Sequence, residues 1–155
     1  MKKTNAIRLL EQKKIAFDTV EYTYNSENLS VELIAEENDL SLPEIYKTLV
    51  LKGDKTGIIV ALVAGDKTVS LKKLAAVSGN KKIAMVAVKD LQKNTGYIRG
   101  GCSPIGMKKQ FPIYVSEEAQ YLGKMYVNAG VRGILVGLKP QKLLEAANAE
   151  WAVIV

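Results

Sequence analysis

The stretch from Thr95 to Lys109, TGYIRGGCSPIGMKK, holds the residues best suited to chemistry. Gly100 and Gly101 reach backbone geometries closed to other residues, and no side chain keeps a ligand from their amides. Consecutive N–H groups in such a loop make a concave site for an anion or a developing oxyanion, although the same pattern also serves as a plain turn between strands. Pro104 and Gly106 would hold the loop in shape. The second candidate is Lys47, in YKTL at Tyr46 to Leu49, where a lysine interrupts an apolar strand. It either carries its ammonium out to solvent or points it into a cleft. Cys102 lies inside the glycine loop.

Histidine is absent from the chain, which removes the usual general base and the commonest metal ligand. Serine, cysteine and zinc hydrolase schemes built on histidine are excluded, and one cysteine without histidine is a poor start for a zinc site. The expectation is no metal and no cofactor, so that any catalysis by this chain would have to rely on positioning and electrostatics.

These residues need elements to hold them. Thr4 can cap a helix through Lys14 with a stripe of Ile7, Leu9 and Leu10. Val20, Tyr22 and Tyr24 alternate with Glu21 and Thr23 as in a half-buried strand. Ser30 caps a helix to about Glu37, and Ser41 with Glu44 has capping-box spacing around Pro43. A hairpin follows, Lys47 to Lys52 and Ile58 to Ala64, whose second arm is apolar throughout and so should be covered on both faces. A helix from Ser70 to Ser78 ends at Gly79.

Short strands are expected at about 83–87, 97–99, 111–115, 125–128 and 132–136, with short helices at 90–94 and 116–120. Another helix starts at Pro140, and a strand runs from Trp151 to Val155. Regular βαβ alternation is missing. The pattern therefore points to an α+β fold with a mixed, strongly curved sheet rather than a doubly wound parallel one.

With 155 residues and no linker or repeat, the chain reads as a single domain, 1–155. The composition, 48% hydrophobic and 25% charged, is that of a soluble globule. A lone cysteine fits a reducing compartment, and no apolar run is long enough for a secretory signal or a membrane span, so the expected location is the cytoplasm. The net charge of +6, from 22 Lys and Arg against 16 Asp and Glu, favours polyanionic partners such as RNA. Basic residues cluster at Lys72, Lys73, Lys81, Lys82, Lys108 and Lys109.

Four segments in order, Tyr22, then YKTL at Tyr46 to Leu49, then TGYIRGGCSPIG at Thr95 to Gly106, then NAGVRG at Asn128 to Gly133, resemble the YbaK-type aminoacyl-tRNA deacylases. These are relatives of the editing domain inserted in bacterial prolyl-tRNA synthetases. The resemblance covers nearly the whole chain. It implies a mainly antiparallel sheet curled into an open barrel with helices around it, and a cleft for the aminoacylated 3′ end of tRNA. It also implies that Lys47 holds the terminal nucleotide and that the amides of Gly100 and Gly101 face the ester carbonyl. Tyr22, Tyr46, Thr48 and Arg132 are implied as substrate-binding residues, and Ser103 as a substrate-side residue that buttresses the loop.

Some members carry an aspartate after the Arg-Gly of the late turn, where this chain reads Ile134, Leu135 and Val136. The amino acid removed is therefore open, with cysteine first and alanine next. In cysteine-specific members the substrate's own thiol attacks its carbonyl while the protein positions the ester, which fits a chain without histidine. The implied partners are mischarged tRNA, with prolyl-tRNA synthetase as a further candidate and no membrane; monomer and homodimer are both open. Two other classes remain: a non-catalytic tRNA- or synthetase-binding module, and a sensor of a free amino acid or nucleotide.

Overall fold

A computed structural model describes residues 3–155. The first helix, α1 (Asn5–Gln12), starts at Thr4, whose hydroxyl accepts the Ile7 N–H, and buries Ala6, Ile7 and Leu10. It ends short of the expected Lys14 because that residue turns to φ +57°. β1 (Asp18–Glu21) pairs antiparallel with β7 (Ile134–Leu138), and a last bond from Tyr22 N–H to the Gly133 carbonyl closes the ladder. Gly133 sits at φ +95°, so the partner strand turns away and the alternation at Thr23 and Tyr24 finds nothing to pair with.

α2 (Val31–Glu37) is capped by Ser30, whose Oγ accepts the Leu33 N–H. At Ser41 the expected capping box does not form: Leu42–Glu44 is a single 3-10 turn, too short to be capped, and Ser41 makes no side-chain bond. The turn delivers the chain into the hairpin of β2 (Tyr46–Gly53) and β3 (Gly57–Ala64). α3 (Leu71–Ser78) is closed by Gly79 at φ +79°. β4 (Ile83–Met85), α4 (Val88–Thr95), β5 (Ile113–Ser116), a 3-10 turn Glu117–Tyr121, β6 (Met125–Asn128), α5 (Pro140–Ala147) and β8 (Glu150–Ala152) complete the order.

The strand expected at 97–99 is instead a turn, fixed by the Gly101 N–H on the Ile98 carbonyl and by the Tyr97 hydroxyl on the Ile105 carbonyl. The last strand stops at Ala152. Beyond it, Ile154 is fully buried, and its carbonyl accepts the Ser70 N–H.

Two sheets result, β1-β7-β6 and β4-β2-β3-β5-β8. All pairings are antiparallel except β3–β5 and β5–β8. The sheets are joined at Ile45, which bridges to Tyr126 just before β2, and do not close into a barrel. β3 is covered on both faces. Val60 and Leu62 join the main core with Ile7, Leu10 and Leu143, whereas Ile59, Ala61 and Val63 pack with Leu51 and the α3 residue Leu74. That double burial anchors the hairpin, so the first residues of β2 project from a rigid base.

Burial also sets an alkaline limit on stability. The Cys102 thiol, 8% exposed, is pushed from 9.0 up to about 11, and the Tyr97 hydroxyl from 10.0 up to about 12, chiefly because burial disfavours their charged forms. The folded state holds both protons more tightly than the unfolded chain. Their contribution is therefore fully present below pH 9.0 and is lost as pH rises through about 11 and then about 12. Thermal unfolding should show a midpoint falling above that lower pH, and Cys102→Ala should flatten the first part of the fall.

Candidate functional site

Where the two sheets part beside Ile45, a cleft of about 390 Å³ opens. Its walls are the end of β1 at Tyr22, the start of α2 from Leu29 to Glu32, the first residues of β2, the glycine loop at Arg99, Gly100 and Cys102, and Asn128 and Leu135 of the smaller sheet. Of the residues singled out from sequence, Tyr22, Tyr46, Lys47, Thr48 and Gly100 line this one cleft. Gly101, Ser103 and Arg132 do not.

The half-buried Lys47 is positioned by its strand register opposite Val63, and its ammonium donates to the Lys67 carbonyl at 2.7 Å. Beside it, Tyr46 is 2% exposed. The Tyr46 hydroxyl and Thr48 Oγ1 are buried with no hydrogen-bond partner among the described residues. Both residues line the cleft, and an unmatched buried hydroxyl costs about 1–3 kcal/mol, so an incoming polar group that reached either would be favoured. Burial raises the Tyr46 pKa, and the carboxylates of Glu118 and Asp66 add to it, so this hydroxyl stays protonated and can donate. Burial likewise raises that of Tyr22, against the opposing hydrogen bonds from Gly133 and Asn128.

The glycine loop is a tight turn with Gly100 at φ +82°, the left-handed region that favours glycine. A Cβ on Gly100 would lie 2.9 Å from Leu29 Cδ1 and 3.3 Å from Arg132 Nε. One part of the oxyanion expectation is corrected. The Gly101 N–H is not free, because it donates to the Ile98 carbonyl at 2.9 Å. Gly101 lacks a side chain for another reason, since a Cβ there would lie 3.1–3.2 Å from the backbone of Val131 and Arg132. Among the described residues the N–H groups of Gly100 and Cys102 have no acceptor, and both residues face the cleft.

Ser103 is fully buried, its Oγ accepting the Ile105 N–H at 3.1 Å, so it supports the loop and does not reach the cleft. Arg132 grips the turn from outside, donating from Nε to the Arg99 carbonyl at 2.9 Å.

Asn128 is the residue that sequence reasoning missed. Its Oδ1 accepts the N–H groups of Gly130 and Val131 at 2.6 and 3.1 Å, and its Nδ2 donates to the Gly100 carbonyl at 2.8 Å. One side chain thus ties the late turn to the glycine loop. An asparagine two residues before a glycine signals an Asx turn, and only that local role could be read from it. Glu32, in the first turn of α2, stands exposed at the cleft rim. Among the described residues no group of three or more Cys, Asp or Glu is placed to hold a metal ion, and no helix is long and apolar enough to cross a membrane.

Comparison with known proteins fits this geometry. The sequence model for the aminoacyl-tRNA editing domain matches residues 26–146. An Enterococcus faecalis protein named "Putative Cys-tRNA(Pro)/Cys-tRNA(Cys) deacylase EbsC" is 49% identical over 152 residues, covering 98% of this chain and 93% of that protein. A proline-tRNA ligase of Thermosipho africanus is 31% identical over 99 residues, which are 64% of this chain and 18% of the ligase. A crystal structure described as "a putative trans-editing enzyme for prolyl tRNA synthetase" shares the fold, with a TM-score of 0.83 at 22% identity, covering 97% of this chain and 94% of that one. The chain belongs to the aminoacyl-tRNA editing domain family.

Proposed function

We propose that this chain is an aminoacyl-tRNA deacylase that hydrolyses the ester of mischarged tRNA, with Cys-tRNA(Pro) as its first substrate and Cys-tRNA(Cys) beside it. The observation that carries this reading is one cleft lined by both Lys47 and the Gly100 turn, in a chain 49% identical to the Enterococcus protein of that name. The reaction takes place in the cytoplasm, in trans, first of all on tRNA(Pro) mischarged by prolyl-tRNA synthetase, and a single domain carries it.

Lys47 holds the 3′-terminal nucleotide, and the free amides of Gly100 and Cys102 face the ester oxygen as it gains charge. A donor of this kind is worth about 3–4 kcal/mol at the transition state, several hundredfold in rate. The buried hydroxyls of Tyr46 and Thr48 meet the polar atoms of the aminoacyl group. The Cys102 thiol stays protonated near neutrality, since its pKa is pushed up to about 11, and so is no nucleophile. The nucleophile comes from the substrate: its own sulfur attacks the acyl carbon, its proton passes to the departing ribose oxygen, and water then opens the cyclic thioester.

Cys102→Ala should accordingly keep deacylation within about threefold of the parent, the range expected of a packing change. The reading is tested by release of cysteine, alanine and serine from tRNA(Pro) by the purified chain. Fast release of cysteine alone supports the substrate-thiol route. Equal release of alanine, abolished by Glu32→Gln, would instead make the rim carboxylate the base, and release of none would leave a binding module.

A further inference from the structure

At the far end of the β2–β3 hairpin lies a second and larger hollow, a groove of about 670 Å³. Lys52, Lys72, Lys81 and Lys82 line it, and all are exposed. Elsewhere four lysines are ion-paired, Lys3 with Glu11, Lys93 with Asp90, Lys124 with Asp18 and Lys142 with Glu145, whereas others such as Lys55 and Lys108 have no ion pair among the described residues. None of the groove lysines has a carboxylate within ion-pair distance among the described residues. The one acid in the groove, Asp54, is engaged with the main chain, its Oδ1 accepting the N–H groups of Lys81 and Lys82 at 2.9 and 3.1 Å.

The groove is rigidly built. Asn80 Oδ1 accepts the N–H groups of Lys55 and Thr56, which locks the hairpin loop to the segment carrying Lys81 and Lys82. Gly53 leaves room for that lock, since a Cβ there would meet the Asn80 side chain at 2.3 Å. Four ammonium groups on a fixed frame, against the single carboxylate of Asp54, leave a net positive groove that gathers small counterions, which a polyanion releases on binding.

Its place relative to the cleft indicates which polyanion. Lys47, Leu49, Leu51 and Gly53 share one face of β2 by the two-residue period, and six residues of strand span about 20 Å. α3, which carries Lys72, packs on that face through Leu74 against Leu51. The Lys47 ammonium already touches the carbonyl of Lys67, in the segment that leads into α3. The cleft and the groove therefore both reach this face of the hairpin, at its two ends, although Tyr46 and Thr48 of the cleft and Lys52 of the groove lie on the other face. An RNA whose 3′ end sits at Lys47 and whose strand runs along this face of β2 meets the positive charge of the groove.

We propose that the lysine groove is a second docking site, for the phosphodiester backbone of the tRNA whose aminoacylated end occupies the cleft. The identity of the RNA rests on the deacylase reading; the groove's affinity for RNA backbone does not.

The test uses the full chain carrying Lys72→Gln, Lys81→Gln and Lys82→Gln together, none of which touches the cleft. Uncharged tRNA(Pro) is titrated over a series of salt concentrations, and deacylation is measured on Cys-tRNA(Pro) and on the short ester cysteinyl-adenosine. The expected result is a Kd for tRNA about tenfold weaker at low salt, with the slope of log Kd against log salt reduced by about two to three. Hydrolysis of the short ester should stay within about twofold, since it has no strand to reach the groove. Unchanged tRNA affinity and slope would overturn the proposal, as would equal losses on both esters. Intact tRNA binding with lost binding to prolyl-tRNA synthetase would assign the groove to an acidic protein face and also overturn it. If the parent hydrolyses neither ester, the deacylase reading fails, while the change in salt slope still decides the groove.

Discussion

Lys47→Ala is expected to lower release of cysteine from Cys-tRNA(Pro) at least tenfold while leaving the unfolding midpoint nearly unchanged. The two outcomes separate because the ammonium is half-buried at a cleft wall, and its one protein partner is the Lys67 carbonyl. Removing it opens no cavity in either core cluster. A hydrogen bond from a charged donor to a bound nucleotide is worth about 1.5–3 kcal/mol, or one to two powers of ten in rate. Lys47→Arg keeps the charge but replaces a compact ammonium with a planar fork, so it should recover only part of the loss. Steady-state kinetics and a thermal melt on the same preparation check both statements. Near-normal turnover by Lys47→Ala would refute the assigned role.

Asn128→Asp is expected to be as damaging, by about a hundredfold, through a different route. The carboxylate can still accept the Gly130 and Val131 N–H groups, so the late turn should survive. Its second oxygen, however, stands where Nδ2 now donates to the Gly100 carbonyl at 2.8 Å, and two acceptors at that distance repel. The turn that presents the Gly100 amide shifts, and a negative charge is added to a cleft that must stabilise a developing oxyanion. Asn128→Ala loses these three bonds and the longer one to the Tyr22 hydroxyl, and should cost more stability but add no charge. Comparing kcat and melting midpoint across the two variants separates electrostatics from loop support; greater activity in Asn128→Asp than in Asn128→Ala would contradict the charge argument.

The hairpin was legible because β3 is apolar at every position from Ile58 to Ala64, and only a strand covered on both faces carries that pattern. The family motifs led to Tyr22, Tyr46, Lys47, Thr48 and Gly100, and these share a cleft although they span nearly eighty residues of chain. What stayed hidden was set by contacts across the fold. Gly101 looked like a second oxyanion donor, but its amide closes a turn, and its missing side chain makes room for the backbone thirty residues later. Tyr97 and Ile98 have strand-forming side chains, yet the Tyr97 hydroxyl reaches the Ile105 carbonyl and the segment turns. Asn128 declares its Asx turn locally, whereas its bond to Gly100 exists only once β6 is packed beside the glycine loop. Among the described residues the only β-bridge between the two sheets is Ile45–Tyr126, and no periodicity encodes that division.

The most direct measurement is a crystal structure of the chain bound to a non-hydrolysable 3′-amide analogue of cysteinyl-adenosine. The acyl oxygen should lie about 2.7–3.1 Å from the Gly100 or Cys102 amide nitrogen. In the same complex the Lys47 ammonium should have left the Lys67 carbonyl for the adenosine, and the cysteinyl group should touch the Tyr46 and Thr48 hydroxyls. An analogue that binds away from this cleft, or whose acyl group faces neither amide while Lys47 keeps its present partner, would contradict the account.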